Sequence, residues 1–251
     1  MLKLWHPCSR AKPGLGASDR PTKMTAARSI VLYAVGSPLA AEVEETCRRL
    51  QIAIVAGVKN VAGAHYLLND CVLRELAKLD AAHLEIPCII PLFSPSNRYK
   101  ATVEATARGF TIAPPLIDPT AILASSTVVG IGSYINAGTV IGAAAHIDKH
   151  VVINRSCSIG HHADIGFMAS IGPAAVLAGQ VRIGRGAMIG AGAIILPKIE
   201  IGAGCVIGAG AVVTKNISAG SLAVGNPAIV IEDDLPLITR TGSAVQERRK
   251  N

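Results

Sequence analysis

The side chains best suited to chemistry in this sequence are its histidines, and four of the seven lie in the second half of the chain: His146, His150, His161 and His162. An imidazole changes charge near neutral pH, so it can accept a proton from a reacting group or bind a metal ion. The six cysteines form no Cys-x-x-Cys pair and no tight cluster. That spacing is typical of reduced, mostly buried thiols in an intracellular protein.

A six-residue repeat determines how these histidines are positioned. Every sixth residue from Ile117 to Val213 is Ile, Leu or Val, over seventeen consecutive positions without an insertion. The residue two places before each of them is mostly small, and glycine commonly follows. Six residues turn an α-helix through about 600°, which puts successive members on different sides, so the repeat excludes a helix.

The repeat instead predicts flat-sided coils with tight corners. One large and one small inward residue per side fit the alternation of a β-strand. Three sides make a coil of about 18 residues, and such coils stack about 4.8 Å apart through strand-to-strand hydrogen bonds. The composition agrees with a narrow prism, because half of the residues are hydrophobic while 3% are aromatic and 25 are glycine.

Residues 18 apart are expected to share a column along the stacked coils. His146 then shares a column with Asp164, and His161 shares one with Gly179. Because no two histidines fall in one column, a cluster of metal ligands within one chain is not predicted. A metal site shared between subunits, like that of a γ-carbonic anhydrase, is the metalloenzyme alternative.

Two motifs within the repeat carry a family resemblance: Asn-Arg-Ser-Cys-Ser-Ile-Gly-His-His at 154–162 and Gly-Pro-Ala-Ala-Val-Leu-Ala-Gly at 172–179. With the hexads, they resemble the hexapeptide-repeat acyltransferases, above all the branch of sialic-acid O-acetyltransferases and N-acetyltransferases of nucleotide-linked amino sugars. The resemblance implies a left-handed parallel β-helix over about residues 114–230, in a homotrimer. It also implies acetyl-CoA as cosubstrate, lying in the groove between two β-helices, and no metal.

The resemblance assigns the role of general base to His161. This residue follows the inward Ile159 by two positions, so it is expected at a corner, where its side chain can project into a cleft between subunits. Taking the proton from a sugar hydroxyl or amine as it attacks a thioester needs a group with a pKa near 7, which imidazole provides. His162 completes the predicted catalytic pair, and it stands where the family usually has an acidic residue. Asp164 or an acid from another subunit is the alternative source of a carboxylate.

The resemblance also implies contacts with the cofactor. A family histidine that contacts acetyl-CoA corresponds to Ser170 here, and two further cofactor-contact positions correspond to Ala191 and Ala209. Lys215 is predicted to meet a CoA phosphate. In the closing motif of the repeat, Ile229 stands where a basic residue is common in the family, which removes one phosphate partner.

Residues 29–113 lack the sixfold repeat and alternate between strand and helix patterns, which predicts a small parallel α/β unit. The predicted strands are 29–35, 51–58 and 87–92, and the predicted helices are 40–50, 70–79 and 100–108. In the resembling family this half is a Rossmann-like domain that binds the nucleotide sugar. Its glycine-rich turn corresponds to Gly36, Ser37 and Pro38, the predicted acceptor-binding residues. An ordinary tight turn that opens a helix is the alternative reading of this segment.

The formal charge of +7 is concentrated at the two ends of the chain. Residues 1–28 carry a net charge of +5 and residues 240–251 a net charge of +3, which leaves −1 on the body. This distribution argues against nucleic acid as a partner. Residues 1–28 are expected to form a disordered basic tail, with an organelle-targeting leader as the alternative, and residues 231–251 a C-terminal tail.

No apolar run reaches the roughly 18 to 20 residues of a membrane helix, and the N-terminus lacks the apolar core of a signal peptide, so a cytoplasmic protein without membrane contact is predicted. The expected fold class is α/β plus all-β: a small Rossmann-like domain followed by a left-handed parallel β-helix of hexapeptide repeats. The predicted function is direct acetyl transfer from acetyl-CoA to an amine or hydroxyl of a sugar or nucleotide sugar. A non-catalytic trimeric scaffold or sugar-binding module is the alternative from another class.

Overall fold

The N-terminal half of the computed structural model is a small parallel sheet with helices packed on it. The structure describes residues 29–235, so the predicted tail at 1–28 and most of the predicted tail at 231–251 lie outside the described residues. The strands are β1 Ser29–Tyr33, β2 Ala53–Lys59, β3 Leu73–Glu75 and β4 Cys88–Ile89, and their order in the sheet is β3-β2-β1-β4. The helices are α1 Leu39–Arg49, α2 Ala81–Leu84 and α3 Pro95–Ala107.

The two longer helices cover opposite sides of this sheet. Val43 and Cys47 of α1 are buried on one side, in a cluster that also contains Tyr134 of the repeat half. Ala101 and Ala105 of α3 are buried on the other side. The helix α1 therefore lies between the sheet and the repeats, and its apolar side chains pack against both.

The helix predicted over residues 70–79 is wrong. Asp70–Val72 and Leu76–Lys78 form short 3₁₀ turns, and between them β3 pairs in parallel with the last three residues of β2. Without this pairing, the edge of β2 would present a row of unpaired backbone groups. The apolar spacing of such a short segment does not separate helix from strand, so the available sheet edge decides its structure.

Helix α3 begins earlier than its predicted start at residue 100. The side chain of Ser94 accepts a hydrogen bond from the backbone N–H of Asn97 at 3.5 Å, and Pro95 occupies the first helical turn. A serine oxygen satisfies one of the free N–H groups at a helix start, and proline has no N–H to satisfy. The Ser-Pro pair is therefore the signal that marks this start.

The second half is a three-sided coil of short parallel strands, as the hexads predict. Within the described residues, each of the seventeen hexad positions is the second residue of a two-residue strand. These strands, β5 to β21 in chain order, are Leu116–Ile117, Ile122–Leu123, Val128–Val129, Tyr134–Ile135, Val140–Ile141, His146–Ile147, Val152–Ile153, Ser158–Ile159, Asp164–Ile165, Ser170–Ile171, Val176–Leu177, Arg182–Ile183, Met188–Ile189, Ile194–Ile195, Glu200–Ile201, Val206–Ile207 and Val212–Val213. An antiparallel hairpin of β22 Leu222–Gly225 and β23 Ala228–Glu232 follows them.

The three sides of the coil differ in their outward residues. The charged face (β7, β10, β13, β16 and β19) presents His146, Asp164, Arg182 and Glu200 in one column. The apolar face (β6, β9, β12, β15, β18 and β21) leaves apolar side chains exposed, among them Ile122, Val140, Val176 and Ile194. The covered face (β5, β8, β11, β14, β17, β20, β22 and β23) carries the α/β unit over its first coils.

The interior of the coil is filled by the hexad residues and their small partners. Ile153, Ile165 and Ile171 are completely buried, and the neighbouring small residues Ala169 and Ala187 are equally inaccessible. Burying one such isoleucine contributes roughly 1.5–3 kcal/mol, and the narrow triangular section has no room for aromatic rings. The low aromatic content of the chain follows from this packing.

A buried arginine joins α3 to the coil. The guanidinium of Arg98 is fully buried, and it donates hydrogen bonds to the backbone oxygens of His150, Met168 and Ala169 and to the hydroxyl of Ser170, at 2.7–3.0 Å. Burial lowers the pKa of Arg98 to about 9. A buried cation is tolerated when all of its donors have acceptors, so these contacts make Arg98 a rigid link between the two halves.

Over residues 29–235, no helix is both long and apolar enough to cross a membrane.

Candidate active site

His161 and His162 lie next to each other at the corner that joins β12 to β13, where the apolar face meets the charged face. Both side chains are exposed in the single chain. One coil further on, Gly179 leaves space for the His161 ring: a Cβ atom added at Gly179 would lie 2.6 Å from His161 Nε2. The corner therefore presents an imidazole that packs against Gly179 and is open to solvent on its outer side.

The two imidazoles contact each other directly. Their Nδ1 atoms are 3.0 Å apart, and the ring planes are inclined by 86°. His162 adopts a left-handed backbone with φ of 56°, and its N–H donates to the backbone oxygen of Ala143 at 2.9 Å. The backbone of the corner thus holds the His162 ring beside the ring of His161.

The carboxylate of Asp164 has a different partner. Its Oδ1 atom lies 3.0 Å from Nδ1 of His146, one coil earlier on the charged face. The column predicted for His146 and Asp164 is observed, because their strands β10 and β13 pair at these two residues. Asp164 is thus engaged with His146, while the atom beside Nδ1 of His161 is a nitrogen of His162.

A polar depression of about 330 Å³ extends along the coils from His162. It is lined by His162, Gln180, Arg182, Lys198, Glu200 and Asn216. Gln180 and Lys198 follow His162 at intervals of 18 residues, so they stack on it at the same corner. The next corner is two residues shorter, since Ile217 pairs with Ile201, and the side-chain oxygen of Asn216 accepts a hydrogen bond from the N–H of Glu200 at 2.9 Å. The sequence contains a signal for this column in the spacing of 18 residues between His162, Gln180 and Lys198, although the residue types alone do not mark it.

The predicted cofactor residues occupy different parts of the coil. Ala191 and Ala209 are exposed at the corner between the covered face and the apolar face, whereas Lys215 is exposed in the His161 column, three coils further on. In one chain, His161 and the two alanines therefore lie on opposite edges of the apolar face. Ser170 is completely buried under the α/β unit, where its hydroxyl donates to the backbone oxygen of Phe93 at 2.6 Å.

The predicted acceptor turn joins β1 to α1. Gly36 and Pro38 are exposed, and Pro38 immediately precedes the helix. The side-chain oxygen of Ser37 accepts a hydrogen bond from the N–H of Leu39 at 3.3 Å, and its backbone oxygen accepts one from Ala40 at 2.9 Å. Ser37 is thus engaged in starting the helix, while Gly36 leaves the outer side of the turn open.

The first turn of α1 reaches the corner that also carries Ala191 and Ala209. Glu42 pairs with Arg155 at 2.8 Å, and it accepts a hydrogen bond from the side chain of Asn136 at 3.5 Å. Asn136 in turn donates to the side chain of Asn154 at 3.1 Å, one coil on. The acceptor turn therefore lies beside the same edge of the coil as Ala191 and Ala209, with Arg155 two coils before Ala191.

His150 is held in an environment unlike that of His161. Its side chain is almost completely buried, and its ring packs against Phe167 with centroids 6.0 Å apart. Burial, together with the nearby Arg98, lowers the pKa of His150 to about 4. Within residues 29–235, no group of three or more His, Cys, Asp or Glu side chains is arranged to hold a metal ion.

Comparisons with known proteins agree with the repeat and the fold. A protein-family model described as bacterial transferase hexapeptide (six repeats) matches residues 180–215. No curated protein sequence matches the chain at a significant level.

Several solved structures are similar to this one. A variant of perosamine N-acetyltransferase from Caulobacter crescentus, in complex with CoA and GDP-perosamine, is 26% identical with a TM-score of 0.70, over 82% of this chain and 97% of that one. The acetyltransferase domain of PglB from Neisseria gonorrhoeae FA1090, in complex with acetyl coenzyme A, is 26% identical with a TM-score of 0.72, over 81% and 99%. WeeI from Acinetobacter baumannii AYE, 23% identical with a TM-score of 0.66 over 80% and 99%, shares the fold.

The resemblance to the hexapeptide-repeat acyltransferases is therefore confirmed, and so is the left-handed β-helix that follows an α/β half. By class, the chain is an acetyltransferase enzyme. The prediction of acetyl-CoA as cosubstrate agrees with both 26%-identical neighbours, which were solved with CoA or acetyl-CoA.

Proposed function

We propose that this enzyme transfers the acetyl group of acetyl-CoA directly to an amine or hydroxyl of a sugar or nucleotide sugar, with His161 as general base. The observation that carries the proposal is the position of His161: its exposed imidazole packs against Gly179 at a corner of a hexapeptide coil. An amine is the favoured acceptor, because the perosamine enzyme of Caulobacter crescentus is an N-acetyltransferase bound to a nucleotide sugar.

In the proposed step, the acceptor nitrogen or oxygen attacks the thioester carbonyl carbon while His161 Nε2 takes the proton from it. A tetrahedral intermediate forms, its carbon–sulfur bond breaks, and the leaving thiolate of CoA takes the proton from His161, which restores the free base. Backbone N–H groups at the corners are the donors available to the carbonyl oxygen as it becomes negative. No covalent acetyl-enzyme is formed in this scheme.

We propose that the site is built at the junction of two chains of a homotrimer. If three prisms turn their apolar faces toward a common axis, the His161 edge of each chain meets the Ala191 and Ala209 edge of the next. That second edge is also where Glu42 of α1 pairs with Arg155. Base, cofactor-binding corner and acceptor turn would then line one groove, as the proposed reaction requires.

The roles of the remaining site residues follow from this arrangement. The backbone at Ala191 and Ala209 contacts acetyl-CoA, Lys215 meets one of its phosphates, and the turn at Gly36 receives the acceptor. Ser170 is left out of the proposed cofactor site, because its hydroxyl is buried and bonded to Phe93 and Arg98.

The test is an acceptor screen with labelled acetyl-CoA across amino sugars and nucleotide sugars, repeated with His161→Ala. Loss of the general base is expected to lower kcat by a factor on the order of 10² to 10⁴ while the thermal melting point stays unchanged. His146→Ala, which removes another exposed histidine of the coil, is the matched control and keeps its activity. Full activity of His161→Ala would refute the assignment of the base, and intact-mass analysis during turnover tests for an acetylated protein.

A further inference from the structure

The feature that carries the inference is the contact between the two Nδ1 atoms of His161 and His162 at 3.0 Å. This is a hydrogen-bond distance, and a hydrogen bond between two imidazole nitrogens needs one protonated nitrogen and one lone pair. Two protonated Nδ1 atoms, or two lone pairs, would repel each other at this separation. The pair therefore holds one proton between its Nδ1 atoms.

Two neutral arrangements satisfy this condition, and they differ in what they leave at Nε2 of His161. If His161 donates from Nδ1, its Nε2 atom carries a free lone pair and can act as a base. If His162 donates instead, Nε2 of His161 is protonated and cannot take up the proton of an acceptor. The identity of the donor thus decides whether the site is competent.

Only the first arrangement leaves Nε2 of His161 free, and the surroundings of His162 can satisfy it. In that state His162 carries its proton on Nε2, and its ring lines the polar depression together with Gln180, Glu200 and Asn216. These three side chains bring amide and carboxylate oxygens that accept hydrogen bonds, whereas Arg182 and Lys198 in the same lining bring donors. The carboxylate of Asp164, the alternative partner for the dyad, is bonded to His146.

We propose that His162 is a positioning residue that accepts the Nδ1 proton of His161 and so keeps Nε2 of His161 unprotonated for catalysis. This inference rests on the proposed function, in which His161 is the base. When Nε2 takes the acceptor proton, the Nδ1–H bond to His162 remains in place, so the imidazolium keeps its orientation through the step. A neutral imidazole thus does the work for which the family usually has an acidic side chain.

The test is a series at position 162 that separates accepting from donating side chains. The backbone tolerates the series, because Ala144, Gln180 and Lys198 occupy the same column with φ of 57°, 63° and 65°. His162→Glu supplies an acceptor without a donor, His162→Ala supplies neither, and His162→Lys supplies a donor without an acceptor. The expected kcat values are equal to or above wild type for Glu, about 10-fold lower for Ala and about 100-fold lower for Lys, with KM for acetyl-CoA unchanged.

A second measurement reads the tautomer of His161 without any substrate. Nitrogen-15 NMR of the imidazoles is expected to find the Nδ1–H tautomer in wild type and in His162→Glu, and the Nε2–H tautomer in His162→Lys. An Nε2–H tautomer in wild type, or a His162→Lys variant with wild-type kcat and an unchanged tautomer, would overturn the proposal. If His161→Ala remains fully active, the proposed base fails, while the NMR result still decides the inference about His162.

Discussion

At the scale of single residues, the candidate site depends on the space around the His161 ring as much as on the ring itself. Position 179 has no reactive side chain, yet the imidazole of His161 occupies the space that any Cβ at this position would need. The spacing of 18 residues predicts that the two positions stack. It does not predict the contact between the rings of His161 and His162, since spacing locates backbones and not side-chain rotamers.

We expect Gly179→Ala to lower activity without lowering stability. The added methyl group would lie 2.6 Å from Nε2 of His161, and because that ring is exposed it can move outward rather than strain the coil. A displacement of about 1 Å at the base lowers kcat on the order of 10- to 100-fold. Enzyme assays and thermal melting of the same preparation measure both effects.

Gly184→Ala is the matched control for that substitution. Its added Cβ would lie 2.4 Å from the backbone nitrogen of Ala203, which cannot move aside as a side chain can. This variant is expected to lose stability, whereas Gly179→Ala is not. Equal activity of Gly179→Ala and wild type would contradict the assigned position of the reactive ring.

At the scale of elements, the link between α3 and the coil contains a histidine that makes stability depend on pH. Burial, with Arg98 nearby, lowers the pKa of His150 from 6.5 to about 4. Between these two values the unfolded chain binds a proton that the folded chain does not, so stability falls as the pH drops from 6.5 toward 4. The contribution lost is roughly 3 kcal/mol, at about 1.4 kcal/mol per pKa unit.

We expect His150→Asn to flatten this part of the pH profile. Asparagine tolerates the left-handed backbone at this position, where φ is 57°, and it does not titrate. Urea unfolding at several pH values between 4 and 7 measures how the free energy of unfolding changes with pH. His146→Asn, on the exposed charged face, controls for the loss of a histidine. An unchanged slope in His150→Asn would assign the acid sensitivity to other groups.

The elements divide clearly into those that the sequence predicts and those that it does not. The seventeen strands of the coil are predictable because each has its own inward aliphatic residue at a fixed period. Residues 70–79 are not, because their strand depends on the free edge of β2, which lies elsewhere in the chain. Arg98 was missed for a similar reason: its acceptors on Met168 and Ala169 are 70 or more positions away.

At the scale of the whole molecule, the apolar face is a surface whose exposed side chains favour association with another chain. The outward side chains of one side of the coil remain 38–66% exposed, whereas the inward side chains are buried; the exposed ones include Ile122, Val140, Val176 and Ile194. Covering the exposed part of each such side chain contributes roughly 1 kcal/mol, and the sum over the face of each chain favours association. The proposed trimer would bury this face and complete the groove that contains His161.

We expect Ile194→Lys to convert the assembly to monomers and to abolish activity, because a buried lysine on each apolar face would lack a partner. Sedimentation velocity measures the oligomeric state. Val103→Lys is the control, since Val103 is 50% exposed on α3, away from the apolar face. A wild-type protein that sediments as a monomer, or an Ile194→Lys variant that sediments as a trimer, would contradict the proposed assembly.

The regular stacking of the coils also fixes the distance between residues of one column. His161 and Lys215 lie in one column three coils apart, which at about 4.8 Å per coil is a distance of about 14 Å. The spacing of the coils is set by the hydrogen bonds between strands, so adding or removing one coil changes this distance by about 4.8 Å. If His161 and Lys215 meet the thioester and a phosphate of acetyl-CoA as proposed, the distance between these two groups changes in steps of one coil, and point substitutions along the column leave it unchanged.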